Sequence, residues 1–313
     1  MEFALTISAG RPYWRSSGIT DEYAKDIRSK SQAICDSKEG NPQPALSLFL
    51  DLTKQQVVLS WVKFNEDERD GDCRRNTTYR WHVVVSFEEY QRDWCADPFA
   101  LAQCCFAKDS PVLRKNSKDP NIINASELLG GVEPKLYLSK NDPLKDLELL
   151  VPDVDSEKIL AQYLKEMTTG KAKPLLLEGQ AKLGQPPFSE PNATPDEKLL
   201  RALYLALPIS KRLRTEFTTS LNEKYEPANQ PGQKLLIAFA GGRGKPFIQA
   251  MQESLSMTTI DLQQSSQTPL DSVDHRSDSI THSRGWIGLV FVFVLGSISG
   301  WLITSYYFPY SGN

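Results

Sequence analysis

Residues 45–64 read ALSLFLDLTKQQVVLSWVKF. Two apolar runs, ALSLFLDL at 45–52 and QVVLSWVKF at 56–64, are parted by Thr53, Lys54 and Gln55. Runs of this length divided by so short a polar break read as a β-hairpin. The hairpin sets the character of its surroundings. On the N-terminal side, Phe3, Leu5 and Ile7 alternate with smaller residues and predict an opening strand. On the other side EDERDGDCRRN, residues 66–76, reads as a charged loop, and TTYRWHVVV, residues 77–85, as a further strand. The first half of the chain is therefore expected to be β-rich.

Helix signals follow. Ser86 is placed to cap a short helix, with Glu89 positioned for a capping box. Asp97-Pro98 opens another helix through PFALAQCCF, with proline at the first helical position. Residues 107–155 are rich in Asn, Asp, Pro and Lys and read as irregular. Ile159, Leu160, Tyr163, Leu164 and Met167 then share one face of a helix, with Gly170 as its stop. Residues 171–194 are proline-rich around the apolar patch Leu175, Leu176, Leu177, and read as a domain boundary or a long loop. Thr194-Pro195-Asp196-Glu197 is a full helix start, with cap, N1 proline and acidic first turn. That helix carries Leu199, Leu200, Leu203 and Tyr204 and ends by Pro208; residues 215–221 and 234–240 read as two more strands. The expected fold of residues 1–253 is thus a soluble α+β region, with a possible subdivision near 171–194.

The C-terminal end has a different character. Residues 254–284 are dominated by Ser, Thr, Gln and Asp with isolated apolar residues, which predicts a flexible, disordered tether. Residues 286–308, WIGLVFVFVLGSISGWLITSYYF, carry no charge over 23 positions. As a helix they span about 34 Å, against about 30 Å of bilayer hydrocarbon. Trp286 marks one end and Tyr306, Tyr307 and Tyr310 the other, as in an aromatic belt. The expectation is one transmembrane helix with a short tail, residues 309–313. Arg276 and Arg284 precede the span and no cation follows it, which predicts a single-pass, tail-anchored protein with its N-terminal region cytoplasmic. MEFALTISAG, at the start, has no basic n-region or long apolar core and does not read as a secretory signal. Gly296 and Gly300 lie four apart within the span, a flat face on which two such helices could associate as a homodimer.

A formal net charge of −3 gives no basic stripe of the kind nucleic acid requires, so nucleic acid is not expected as a partner. The five cysteines, with Cys104 and Cys105 adjacent, read as reduced thiols. Cys73, His82, Cys95, Cys104 and Cys105 lack the paired spacing of a structural zinc site, so no metal is expected. A thiol nucleophile needs a base, and the candidates are His82 with Cys73 or Cys95; a core histidine beside inert cysteines explains the same residues. AFAGGRGKPF, residues 238–247, follows an apolar run and ends near Gly-Lys. It has two residues where a phosphate loop has four, and Pro246 where the magnesium-binding hydroxyl belongs. An anion nest of Gly241, Gly242, Gly244 and Lys245 is the residual functional reading, and a tight turn the structural one. No cofactor is expected. Lys211-Arg212-Leu213-Arg214 is a basic cluster, read either as a solvated helix turn or as a contact for anionic lipid or a partner.

Two stretches, RWHVVVSFEEYQRDWCADPFALA at 80–102 and LLRALYLALPISKRLRTEFTTSL at 199–221, resemble the N-terminal modules of GTPase-associated accessory proteins of bacterial conflict systems. The resemblance implies an accessory protein working beside a GTPase or ATPase, and transfers no active-site residue. The functional expectation is a membrane-tethered cytosolic adaptor that binds the bilayer and a protein partner, leaning away from an enzyme. The alternative is a membrane-anchored enzyme, thiol- or nucleotide-dependent.

Overall fold

The computed structural model describes residues 1–7, 12–35, 44–69, 76–106, 112, 122–123, 154–169, 171, 173–184, 193–225 and 235–261. Among them ten strands form one sheet. The β-rich half comprises β1 (Glu2–Ile7), β2 (Pro12–Ser16), β3 (Ala45–Asp51), β4 (Gln56–Arg69), β5 (Asn76–Ser86) and the two-residue β6 (Ile122–Ile123). The second half adds β7 (Leu175–Glu178), β8 (Thr215–Thr218), β9 (Leu235–Phe239) and β10 (Thr258–Asp261). The order across the sheet is β10-β7-β9-β8-β3-β4-β5-β1-β2-β6. β8, β9, β7 and β10 run parallel; β3, β4, β5, β1 and β2 pair antiparallel. The two halves join where β3 meets β8 antiparallel, pairing Ser47 with Thr218 and Leu48 with Phe217.

The hairpin forms as expected. β3 and β4 pair from Ala45–Val62 to Asp51–Gln56, and Gln55 closes the turn at φ 57°. β3 is buried along its whole length because helices cover both faces of the sheet. The expected charged loop at 66–76 is shorter than its composition suggests. Residues 66–69 continue β4, and Arg69 pairs across an irregularity with Asn76 of β5.

One face carries Phe3, Leu5, Leu48, Leu50, Val57, Leu59, Val83, Val85, Phe217, Ile237 and Phe239. It is covered by α2 (Phe87–Trp94), α3 (Pro98–Cys105), α4 (Val154–Thr169) and α5 (Pro195–Leu205). The other face has two covers. α1 (Asp21–Ile34) lays Tyr23, Ala24, Ile27 and Ile34 over Ala4, Phe49, Val58 and Val84. α7 (Lys245–Leu255) lays Ile248 and Met251 over Leu176, Leu236 and Ala238. The short α6 (Ile209–Arg212) links α5 to β8. Alternate residues of each strand thus meet different helices, the result of strand periodicity in a sheet covered on both sides.

The caps follow their sequence signals with one exception. Thr194 and Glu197 form a reciprocal capping box, and Asp97 accepts from the amides of Phe99 and Ala100. Ser86 accepts from the amide of Glu89, but the return half of that box is missing. The Glu89 carboxylate instead receives the Met1 ammonium at 2.9 Å, a stronger charged donor than a backbone amide. In α4, Leu160, Tyr163 and Met167 are buried as predicted, but Ile159 is 41 % exposed.

The apolar patch at 175–177 is strand β7, paired on one side with β9 and on the other with β10. One sheet therefore takes strands from both sides of residues 171–194. The expected tether boundary at 254 also moves: α7 runs to Leu255 and β10 ends at Asp261. β10 carries one buried apolar residue, Ile260, and Met257 just before it is buried on the opposite face. Residues 262–284 and the 286–308 segment, with Gly296 and Gly300, lie outside the described residues, as does Gly170. Among the described residues no helix is long and apolar enough to cross a membrane.

Candidate functional site

β7 leads through residues 179–194 into α5 on one face, while its neighbour β9 leads into α7 on the opposite face. Adjacent parallel strands whose connections part to opposite faces leave a crevice at their carboxyl ends, where open α/β sheets bind ligands. The glycines singled out in the sequence stand at this point. Gly241 and Gly242 have φ of 71° and 75°, a left-handed conformation that a side chain would strain. A Cβ on Gly241 would also come within 2.7 Å of Ser220 Oγ. The amide of Gly242 donates to the carbonyl of Gly179 at 3.0 Å, tying the loop after β9 to the loop after β7.

That bond narrows the anion-nest reading, because it commits the Gly242 amide, one of the three proposed donors. At the start of α7, Gly244 is the cap without a side-chain bond, Pro246 has no amide hydrogen, and the Phe247 amide donates back to Gly244. The Lys245 residue is exposed, and the Arg243 guanidinium lies 4.5 Å from the centre of the Phe247 ring. The loop is a strand-to-helix turn at the carboxyl end of β9, with fewer backbone donors than a phosphate loop supplies.

His82 is fully buried. Its Nε2 lies 2.9 Å from Thr6 Oγ1 and its Nδ1 2.8 Å from Ser60 Oγ. Both ring nitrogens meet a buried hydroxyl, which can donate or accept, so a neutral imidazole of either tautomer is satisfied here. Burial, with the Arg80 and Arg28 charges, lowers its pKa to about 3. His82 shares the α1 side of β5 with Val84, whereas Cys95 ends α2, whose Tyr90 and Trp94 pack on the opposite face with Val83 and Val85. The sheet separates the exposed Cys95 from its supposed base, so His82 and Cys95 form no catalytic pair. Cys73 lies outside the described residues. Cys105 is buried, which pushes its thiol pKa up and makes it a poor nucleophile.

The buried imidazole makes stability sensitive to acid. In an unfolded chain His82 titrates near 6.5, so protonation below that pH favours unfolding. Its contribution is complete above pH 6.5 and falls as pH drops toward 3, by about 1.4 kcal/mol per unit. Urea unfolding at pH 7 and pH 5 should differ by about 2 kcal/mol from this group. His82→Gln, which keeps a donor and an acceptor, should remove that part of the slope.

Register continues the line of buried polar residues across the sheet, although the Ser47 hydroxyl meets no hydrogen-bond partner among the described residues. His82 pairs with Ser60, Ser60 with Ser47 and Ser47 with Thr218, a row of four fully buried polar side chains crossing both halves. Thr218 Oγ1 in turn donates to the Ser220 carbonyl, beside Gly241. Sequence periodicity cannot reveal such a row, since its members lie on four different strands and only the pairing register brings them into line.

The two stretches at 80–102 and 199–221 meet in space. Arg201 donates to Asp97, which caps α3, at 3.4 Å. Phe99, Tyr204 and Phe217 form a mutual ring cluster with centroids 5.3 to 5.8 Å apart. Arg212, placed by sequence in an exposed basic cluster, instead turns inward. Its Nε and Nη2 donate to the carbonyls of Leu207 and Leu205 at the end of α5, and its Nη1 to that of Cys95 at the end of α2. Lys211 and Arg214 remain exposed. This constellation fastens the two halves of the sheet together, and its charged groups are occupied with one another and with backbone. Among the described residues no three His, Cys, Asp or Glu side chains gather as a metal ion would require. The chain matches no family model and no curated relative.

Proposed function

We propose that the protein is a membrane-tethered cytosolic adaptor: the α+β region binds a protein partner, and residues 286–308 hold it at a bilayer. The observation that carries this reading is the uncharged 23-residue segment following a hydrophilic stretch. Confinement to a surface raises the local concentration of a binding domain without any catalytic residue. Two further features support it. The buried His82 and Asp97 and the half-buried Arg212 serve internal hydrogen bonds. The resemblance at 80–102 and 199–221 favours an NTPase, a GTPase or ATPase of a bacterial conflict system, as the partner. Cross-linking in intact membranes followed by purification of the full chain should recover one protein in near-equal amount. Recovery of the chain alone, under conditions that preserve known membrane complexes, contradicts the adaptor.

A second reading, a nucleotide-dependent enzyme at the membrane, draws on the position of the 241–245 loop at the switch point between β7 and β9. Saturating nucleotide would then raise the unfolding temperature of the full chain, by linkage. No shift with ATP, GTP or NAD sets it aside.

A further inference from the structure

β10 is a terminal strand of the sheet, with β7 as its one neighbour among the described residues. The amide of Thr258 donates inward, to the carbonyl of Pro174. Because backbone groups alternate along a strand, the amide and carbonyl of Thr259 point away from β7, to an edge that no strand among the described residues covers. Such an edge is a template for another strand. Beside it, on the face covered by α4, runs a groove of about 270 Å³ lined by Lys158, Ile159, Gln162, Tyr163, Glu166 and Thr258. Ile159 is 41 % exposed there, one of two large apolar side chains so exposed among the described residues. Tyr163 is 1 % exposed, and its hydroxyl meets no hydrogen-bond partner among the described residues.

The charges along this groove identify its occupant. Lys158, Gln162 and Glu166 stand at four-residue steps on one side of α4, about 12 Å from first to last, and Gln162 Nε2 donates to the Glu166 carboxylate at 2.7 Å within the row. A twofold axis through the middle of that row sets Lys158 of one copy against Glu166 of the other, and Gln162 against Gln162. An axis normal to the sheet beside β10 would set two β10 edges antiparallel, as continuation of the sheet from one copy into the next requires. The surface is self-complementary, as a twofold interface must be. We propose that β10 and α4 form a homodimer interface of the soluble region, by edge-to-edge strand pairing with Lys158–Glu166 ion pairs above it. This interface is distinct from any association of the membrane segment through Gly296 and Gly300, and does not rest on the adaptor reading.

The test uses the full chain carrying Gly296→Leu and Gly300→Leu, solubilised in a mild detergent, with sedimentation as the readout of oligomeric state. The parent should show a concentration-dependent dimer. Thr259→Pro removes the outward amide while sparing the bonds to β7, and should weaken the dimer at least about tenfold. Lys158→Glu and Glu166→Lys should each weaken it, and the double variant should restore it, because the exchanged charges pair again across the axis. Lys158 is exposed, and the unfolding temperature of each variant is measured beside its oligomeric state, so that loss of the dimer is told apart from loss of the fold. A monomer at every accessible concentration overturns the proposal. So does a dimer indifferent to Thr259→Pro, or a charge exchange that fails to restore what the single variants lose. Association lost on replacing Gly296 and Gly300 alone assigns it to the anchor and equally overturns it.

Discussion

Phe217→Ala is expected to cost about 3–5 kcal/mol of folding stability, a large share of the margin of an ordinary domain. Phe217 is fully buried on β8, where the antiparallel and parallel halves of the sheet meet and Leu48 pairs with it. Its ring stacks on Phe99 of α3 at 5.3 Å and meets the edge of Tyr204 of α5 at 5.8 Å. Truncation removes the transfer energy of the ring and leaves a cavity walled by two other aromatic residues, with neighbours on both sides fixed by strand pairing. Little collapse is available, so the cost belongs at the upper part of the range. Phe217→Leu, which refills most of the volume, should cost less than half as much. Chemical denaturation of the two variants at one pH measures both; equal and small losses would show that the two halves do not depend on this contact.

The second expectation concerns Arg212. Arg212→Ala should lose about 2–4 kcal/mol, because three carbonyls at the ends of α2 and α5 forfeit charged donors at 2.7 to 3.0 Å. Burial lowers the guanidinium pKa, but an arginine remains charged throughout the neutral range. Helix C-termini carry partial negative charge, so the loss includes an electrostatic component as well as hydrogen bonds. Arg212→Lys retains the charge but not the planar fork, and should recover less than half of the difference. Full recovery by lysine would mean that charge alone matters and that the three-way geometry does not.

Local chemistry made much of this architecture readable before any coordinates. The hairpin at 45–64, the Asp97-Pro98 start and the Thr194–Glu197 box depend on neighbours a few residues apart, and each forms as read. What escaped depends on distant partners. Glu89 leaves its capping box for the Met1 ammonium, 88 residues away. Arg212 looks like one of three solvated cations until the ends of α2 and α5 converge on it. β10, with the sequence TTID, has too few apolar residues to stand out from the polar stretch after it, and becomes a strand because β7 is already in place. The candidate site shows the same limit. The glycines at 241, 242 and 244 were visible, but their place at a switch point follows from strand order, and the commitment of the Gly242 amide from the loop after β7. In sequence His82 fits a base and a core residue equally; Thr6 and Ser60, which decide between them, are 76 and 22 residues away.

The adaptor account stands or falls with the membrane segment, and flotation of the full chain tests it most directly. Cells expressing it would be broken, washed in alkaline carbonate and layered beneath a density gradient. The account predicts that the protein rises with the lipid vesicles after the wash, and that protease added outside sealed inverted vesicles digests the α+β region. Full-length protein that stays in the dense, lipid-free fractions, folded and unaggregated, would contradict it.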